Sequence, residues 1–436
     1  MQECRDVRLE MIELNWLLFC FLFLYLGQSA FSIWVDRINL LHAEKHANRV
    51  PAGFEGFIDD AKLTSAGAYA RARTRIGIFE QIASDLTLFV ILLSGLLPLL
   101  VRLSDNLGLP LIAAGLVFFF VPEFIHFLVE LPFGYYNTFV VEQKFGFNRS
   151  TLKLWTFDHI KAGLLSAALF AAVLSVLLLF IAWSPRLWWF WGFIFLSAVQ
   201  LVMAILYPVV LAPLFNKFEP VRDVELSEKI RTQMEKSGIR VKKILQMDAG
   251  LRSRHTNAYF TGIGKTKQIV LFDTLIESHT HDEILAVLAH EAGHYRKKHV
   301  LRQLLIFSSF SLAAFYVTWL FIQWPLLFST FGFGAPLSYV GLFLAGVFWR
   351  KAGFFLQPLY MKISRRFERE ADSFAVAMLG DAAAMISALK RLSVDNLSNL
   401  NPHPLYVWFH YSHPPVTERV AALEGRQEVS SVGERL

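Results

Sequence analysis

Seven stretches of about twenty mostly apolar residues recur along this chain, each long enough for a helix that crosses a lipid bilayer. They fall at Leu14–Trp34, Ile82–Val101, Leu109–Phe133, Ile160–Trp183, Leu187–Phe215, Leu304–Leu327 and Pro336–Leu356, the last interrupted by Arg350 and Lys351. Composition agrees. Of 436 residues, 55% are hydrophobic and 18% charged, where a soluble chain carries about 25% charged residues. Intrinsic disorder is excluded on the same ground. The leader MQECRDVRLEMIE mixes charges and lacks the basic start, short apolar core and cleavage site of a signal peptide, so the first run reads as a retained span. Two cysteines, Cys4 and Cys20, exclude a disulfide scaffold and a cysteine-based zinc finger.

Seven spans put the loops after spans one, three and five on the side of the C-terminus. Those segments carry Arg37, Lys45, Arg49, Lys62, Arg71, Arg73, Arg75, Lys144, Arg149 and nearly all later Lys and Arg, against Arg5, Arg8, Arg102 and Arg186 opposite. Basic loops stay in the cytoplasm, so the later aqueous segments are expected there. The net charge of +6 includes no basic block that would bind nucleic acid. Between spans five and six, Val221–Ser237 reads as an amphipathic helix and Val241–Met247 and Gln268–Phe272 as strands. TGIGK is expected to join Asn257–Phe260 to the second strand as a hairpin. After span seven, Ser364–Leu379 and Ala382–Leu392 read as helices.

Chemistry concentrates in HTHDEILAVLAHEAGHYRKKH. Thr280 followed by Glu283 is a capping box that starts a helix. On that helix His290 and His294 stand one turn apart on one face, as two ligands of one zinc ion must. Glu291 is offset between them, where a metalloprotease places its general base. His-Glu-x-x-His arises by chance in roughly one such chain in fifty, so two surface histidines remain the competing reading.

A hydrolytic zinc site has a third protein ligand and one position for water. The metzincin spacing is excluded, because Lys297 and Val300 stand where it needs Gly and His. His299 is taken as too close in sequence to fold back. Glu368 in SRRFEREADSFA is the preferred third ligand, with Asp372 one turn on accepting a hydrogen bond from a ligand histidine. A solvated helix face is the alternative for Glu368. Glu123, His126 and Glu130 share one face of span three, and at membrane depth they must face protein or water.

HEAGH, SRRFEREAD and HYSHPPVTER, with NTFVVEQKFGFNRST, PLFNKF and NAYFTGIGKTKQIVLFDTL, resemble the type I CAAX prenyl proteases, integral-membrane zinc metallopeptidases. The likeness runs from the first spans to Arg419. It implies His290, His294 and Glu368 as ligands of one Zn²⁺ per chain, and Glu291 as the base. It implies substrate roles for His413 and Arg419, an edge strand at Asn257, Ala258 and Tyr259 that meets the peptide, and a water-filled chamber among the helices. HtpX-type quality-control proteases share the zinc motifs with fewer spans and are the weaker match. Site-2 proteases bury the motif in a hydrophobic helix, whereas YRKKH follows it here.

The expected fold is an all-α polytopic membrane protein with seven transmembrane helices and a cytoplasmic gluzincin-like zinc protease domain containing a small hairpin or sheet. Four regions are drawn: spans one to five in 1–215, the catalytic loop in 216–303, spans six and seven in 304–360, and the segment with the third ligand in 361–436. The expected reaction is endoproteolysis of a peptide at the bilayer, implied to be removal of a C-terminal tripeptide after a prenylated cysteine. General degradation of membrane proteins and a transporter with an incidental metal motif are the competing functions. A C-terminus ending VGERL, without a dilysine signal, points to a bacterial inner membrane before the endoplasmic reticulum.

Overall fold

The computed structural model describes residues 12–46, 49–261 and 266–433. Cys4, Arg5, Arg8 and the turn residues Gly262–Lys265 lie outside these. The first half is helical: α1 (Trp16–Lys45), α2 (Asp60–Leu93), α3 (Leu96–Asn106), α4 (Leu111–Tyr136), α5 (Leu152–Trp183) and α6 (Trp188–Leu206). Single π-helical segments, Asn137–Glu142 and Tyr207–Leu211, extend α4 and α6. Next come strand β1 (Phe218–Pro220), α7 (Val224–Lys236), strands β2 (Arg240–Met247), β3 (Ala258–Thr261) and β4 (Thr266–Phe272), and helices α8 (Asp273–Ser278) and α9 (His281–Arg296). The chain ends in α10 (His299–Phe321), α11 (Pro325–Thr330), α12 (Ser338–Leu379), α13 (Ala383–Asp395), α14 (Pro404–His410) and α15 (Val416–Gly433).

Seven of these helices are long and apolar enough to span a membrane, the number read from sequence. Two differ in extent. The second span lies in α2, which the Asp59 carboxylate caps by accepting from the Lys62 amide at 2.6 Å. It stops at Leu93 because Gly95 turns to φ +80°, left-handed backbone that ends a helix, and α3 leaves in a new direction. The seventh span and the segment Ser364–Leu379 are one 42-residue helix that continues through Pro358. At 1.5 Å per residue α12 is about 63 Å long, twice the hydrocarbon thickness of about 30 Å. A boundary at 360/361 therefore falls inside a rod.

The connections alternate between two ends. At one end Asn39 of α1 accepts from the His403 amide (2.9 Å), and Phe54 and Ile58 pack with Met385, Leu389, Val420 and Leu423. Asn148, after span three, bridges to Ser253 before β3. At the other end Asn15 donates to Thr330 at 2.9 Å. The loops after spans one, three and five thus meet the C-terminal segment, as the seven-span count requires. The most apolar windows of spans five and six contain no buried residue, and these two helices pack on each other.

The charges in span seven have partners. Lys351, only 2% exposed, donates to Asp85 of α2 at 2.7 Å and to Ser29 of α1 at 2.9 Å. Arg350 donates to Ser84 at 3.2 Å. His126 is bonded to Ser84 (2.8 Å) and lies 3.3 Å from Glu130, while Glu123 is exposed. Pairing is what low-dielectric surroundings demand of such groups.

The sheet has order β1-β2-β4-β3, with β2 and β4 parallel and the other two pairs antiparallel. Ala258 faces Leu271 and Thr261 faces Gln268, so the expected hairpin arms are present and belong to a larger sheet. Strands β1 and β3 are its two edges.

Removing one partner of a buried ion pair leaves an uncompensated charge and costs about 3–5 kcal/mol. Asp85→Leu should therefore sharply lower the unfolding temperature in detergent, and Asp85→Leu with Lys351→Met should recover most of it. A single variant that melts like the parent would show that the pair does not hold spans one, two and seven together.

Candidate metal centre and peptide edge

Helix α9 begins at the expected capping box. The Thr280 hydroxyl accepts from the Glu283 amide (3.3 Å), and the Glu283 carboxylate accepts from the Thr280 amide (2.8 Å). Ser387 (2.6 Å) and Arg391 (3.0 Å) of α13 hold the other oxygen of Glu283, which pins this end of the helix. Ile284, Leu288 and Ala292 pack with Ala258 and Ile269 of the sheet. The opposite face lies on α12. A Cβ on Gly293 would come within 2.9 Å of the Ala371 Cα and 3.0 Å of its carbonyl oxygen, so only glycine permits this approach.

That contact aligns His290 and His294 with Glu368. The two Nε2 atoms are 3.1 Å apart, and the Glu368 oxygens lie 3.3 Å from His290 and 3.2 Å from His294. A tetrahedral zinc with bonds of about 2.0–2.2 Å sets its ligand atoms about 3.3–3.5 Å apart, so the donors fit that ion within a few tenths of an ångström. Glu368 Oε2 is buried with no hydrogen-bond partner among the described residues. Oε2 faces His290 Nε2 and Oε1 faces His294 Nε2, so a buried carboxylate converges with two imidazole nitrogens, a cation-binding arrangement.

Asp372 contacts His290 Nδ1 at 2.8 Å, which frees Nε2 for a metal. Arg419 binds Asp372 through Nε (2.9 Å) and Nη2 (2.6 Å). Its partner here is thus the carboxylate behind His290. Burial alone would lower the His290 pKa, but its hydrogen bond to Asp372 and the Glu368 carboxylate beside it outweigh that and raise it to about 9. Burial pushes the Glu291 carboxyl above the ordinary range, against the pull of both histidines. His413 stands over the cluster, its Nε2 3.4 Å from Glu368 and its side chain 59% exposed. With Arg419, Leu389, Leu392 and Val416 it lines a cavity of about 410 Å³.

Asn257 lies just before β3, and Ala258 and Tyr259 begin it. Asn257 accepts from the Phe272 amide through its carbonyl (3.0 Å), and its side chain accepts from the Ala258 amide (2.8 Å). Ala258 is buried and Tyr259 half-buried, and β3 runs beside α9. An edge strand with one unpaired row of amides and carbonyls can add an extended peptide.

His299, set aside as a third ligand, is not among the three clustered donors but lies behind one of them. Lys298 turns to φ +56° and ends α9 abruptly, which returns the His299 Nδ1 to 3.1 Å from the His294 Nδ1. No glycine marks that turn, so nothing in the sequence announced it.

Convergent metal donors, a carboxyl beside them, an edge strand and seven apolar helices are features of a membrane metallopeptidase. The profile described as CAAX prenyl protease N-terminal, five membrane helices, matches residues 39–217, and that of peptidase family M48 matches residues 220–427. CAAX prenyl protease 1 of Saccharomyces cerevisiae is 34% identical, over 86% of this chain and 88% of its own. The homologue in Homo sapiens is 30% identical, over 87% and 90%. The crystal structure of S. mikatae Ste24p aligns with TM-score 0.85 at 31% identity, covering 92% of this chain and 97% of that one. The chain belongs to the type I CAAX prenyl protease family. It is an integral-membrane zinc metalloendopeptidase, and the quality-control alternative is the weaker reading.

Two outcomes follow from this geometry. Gly293→Ala should push α9 off α12, cost about 1–3 kcal/mol by overpacking and weaken zinc binding; parental unfolding temperature and affinity would show the contact to be slack. A metal on His290 must displace the proton that its raised pKa retains. Zinc affinity, measured by chelator competition, should therefore climb with pH up to about 9, by as much as tenfold per unit. A flat profile between about pH 7 and 9 would show that His290 is already neutral.

Proposed function

We propose that this chain hydrolyses the peptide bond after a prenylated cysteine and releases the C-terminal tripeptide, with one zinc held by His290, His294 and Glu368. The carrying observation is the convergence of those three donors, all within 4.8 Å of one another, with Glu291 in the same helical turn. Bound zinc would polarise the scissile carbonyl and acidify water. Glu291 takes the proton of the attacking water and returns it to the leaving amine, a task its raised pKa favours. The His413 ring, exposed above the cluster, donates to the oxyanion that develops on the carbonyl. Asp372 fixes the His290 ring, and Arg419 fixes Asp372. Asn257, Ala258 and Tyr259 hold the peptide extended along the free edge of β3.

The prenyl group is supported by the relatives' names and by the apolar faces that spans five and six leave open. The cytoplasmic side is supported by the basic loops gathered at the end that carries the metal centre. The relatives compared are eukaryotic and lend a bacterial inner membrane no support, so the endoplasmic reticulum is the reading carried forward.

The test is cleavage of matched farnesylated and unprenylated peptides by the purified protein. The prenylated peptide should have a kcat/KM at least about tenfold higher, equivalent to about 1.4 kcal/mol. Equal rates would remove prenyl recognition. Glu291→Gln should retain zinc and lose about 10²–10⁴-fold in turnover. Cleavage by that variant at near-parental rate would end the assignment of Glu291 as base.

A further inference from the structure

We infer that His299 is a positioning residue for the second metal ligand, accepting the Nδ1 proton of His294 and tying that ring to Glu370. The inference rests on the ligand assignment proposed above. His299 is 1% exposed and stacks on Phe367 with ring centroids 4.3 Å apart and planes 8° from parallel. Its Nδ1 is 3.1 Å from the His294 Nδ1, and its Nε2 is 3.1 Å from Glu370. Arg302 (3.2 Å) and Arg366 (3.1 Å) hold the Glu370 carboxylate.

The proton inventory has a single solution once His294 uses Nε2 for the metal. Its Nδ1 must then carry hydrogen, because a neutral imidazole has one donor and one acceptor nitrogen. That hydrogen can only be donated to the Nδ1 of His299, which must be bare. The Nε2 of His299 therefore carries its own hydrogen and donates to Glu370. Every contact is satisfied, and the Glu370 charge is felt at His294 through one intervening ring. His290 has the same device in shorter form, Asp372 backed by Arg419. Glu368, Glu370 and Asp372 thus act from alternate positions of one helix: a ligand, a remote anchor for His294 and a direct anchor for His290.

Left-handed Lys298 supports a role beyond closing a corner. Such backbone persists in a residue other than glycine only where the surroundings impose it. Here it is the step that returns His299 to the cluster.

The test uses the full-length protein in detergent and zinc affinity from chelator competition at fixed pH. His299→Phe keeps a ring for Phe367 and removes both nitrogens. His299→Asn puts a carbonyl oxygen near the lost Nδ1 and so keeps an acceptor for His294. Outer partners of ligand histidines typically contribute about 10–100-fold in affinity. His299→Phe should lose that much, and His299→Asn should recover most of it, with the visible spectrum of bound Co²⁺ shifted only in the Phe variant. Parental affinity in His299→Phe, or equal losses in Phe and Asn, would overturn the inference and leave a packing role. If the Phe variant does not fold, Glu370→Gln decides: a several-fold loss supports the relay, and parental affinity overturns it. Zinc retained by His294→Ala would instead refute the ligand assignment.

Discussion

The approach of α9 to α12 at Gly293 is the contact on which the rest depends. Two histidines on one helix supply half a metal site, and the third donor must come from another chain segment at a fixed height and rotation. Glycine at the crossing lets the backbones meet with nothing between them. Glu368 then faces both imidazoles, and Asp372, one turn on, reaches the far side of His290. The donor separations follow from two rigid helices. Buried carboxylates and histidines would be costly here without one another or a cation.

That precision is imported into the membrane by α12. The same rod carries Lys351, clasped by Asp85 among the spans, and Glu368, 17 residues further on. The separation is about 26 Å along the axis, so the ligand keeps a set distance from the bilayer. Polar clasps at two levels in the middle of the rod hold it: Asp85 and Ser29 on Lys351, and the carbonyls of Val407 and Tyr411 on Arg365.

The periodic parts of this arrangement were legible in the sequence. Apolar runs gave the number of spans, Thr280 with Glu283 marked the start of α9, and histidine spacing put two donors on one face. What failed depended on single backbone angles or on long-range pairing. Gly95 breaks the second run, Lys298 turns His299 back, and α12 passes Pro358, where a sequence reading sees two helices. The Arg419–Asp372 pair was not foreseen, since 47 residues separate the two and only the fold joins them.

A site assembled in this way ties chemistry to folding. Its three donors sit on two helices separated by a further span, so an unfolded chain offers no comparable cluster. Whatever binds the assembled donors stabilises the assembled state by mass action. A metal held by His290, His294 and Glu368 would therefore crosslink α9 and α12 as well as serve as a Lewis acid, and its removal should loosen the crossing at Gly293 before it disturbs the apolar spans. For a protease whose proposed substrate is anchored by a lipid, this division is apt. The membrane helices would hold the site at the height of the anchor, and a bound metal would hold the two helices in register. An anchored cysteine leaves only a few residues of reach, at most about 3.3–3.6 Å each. Over that length a site displaced by one helical turn, about 5.4 Å, would lose more than one residue of reach.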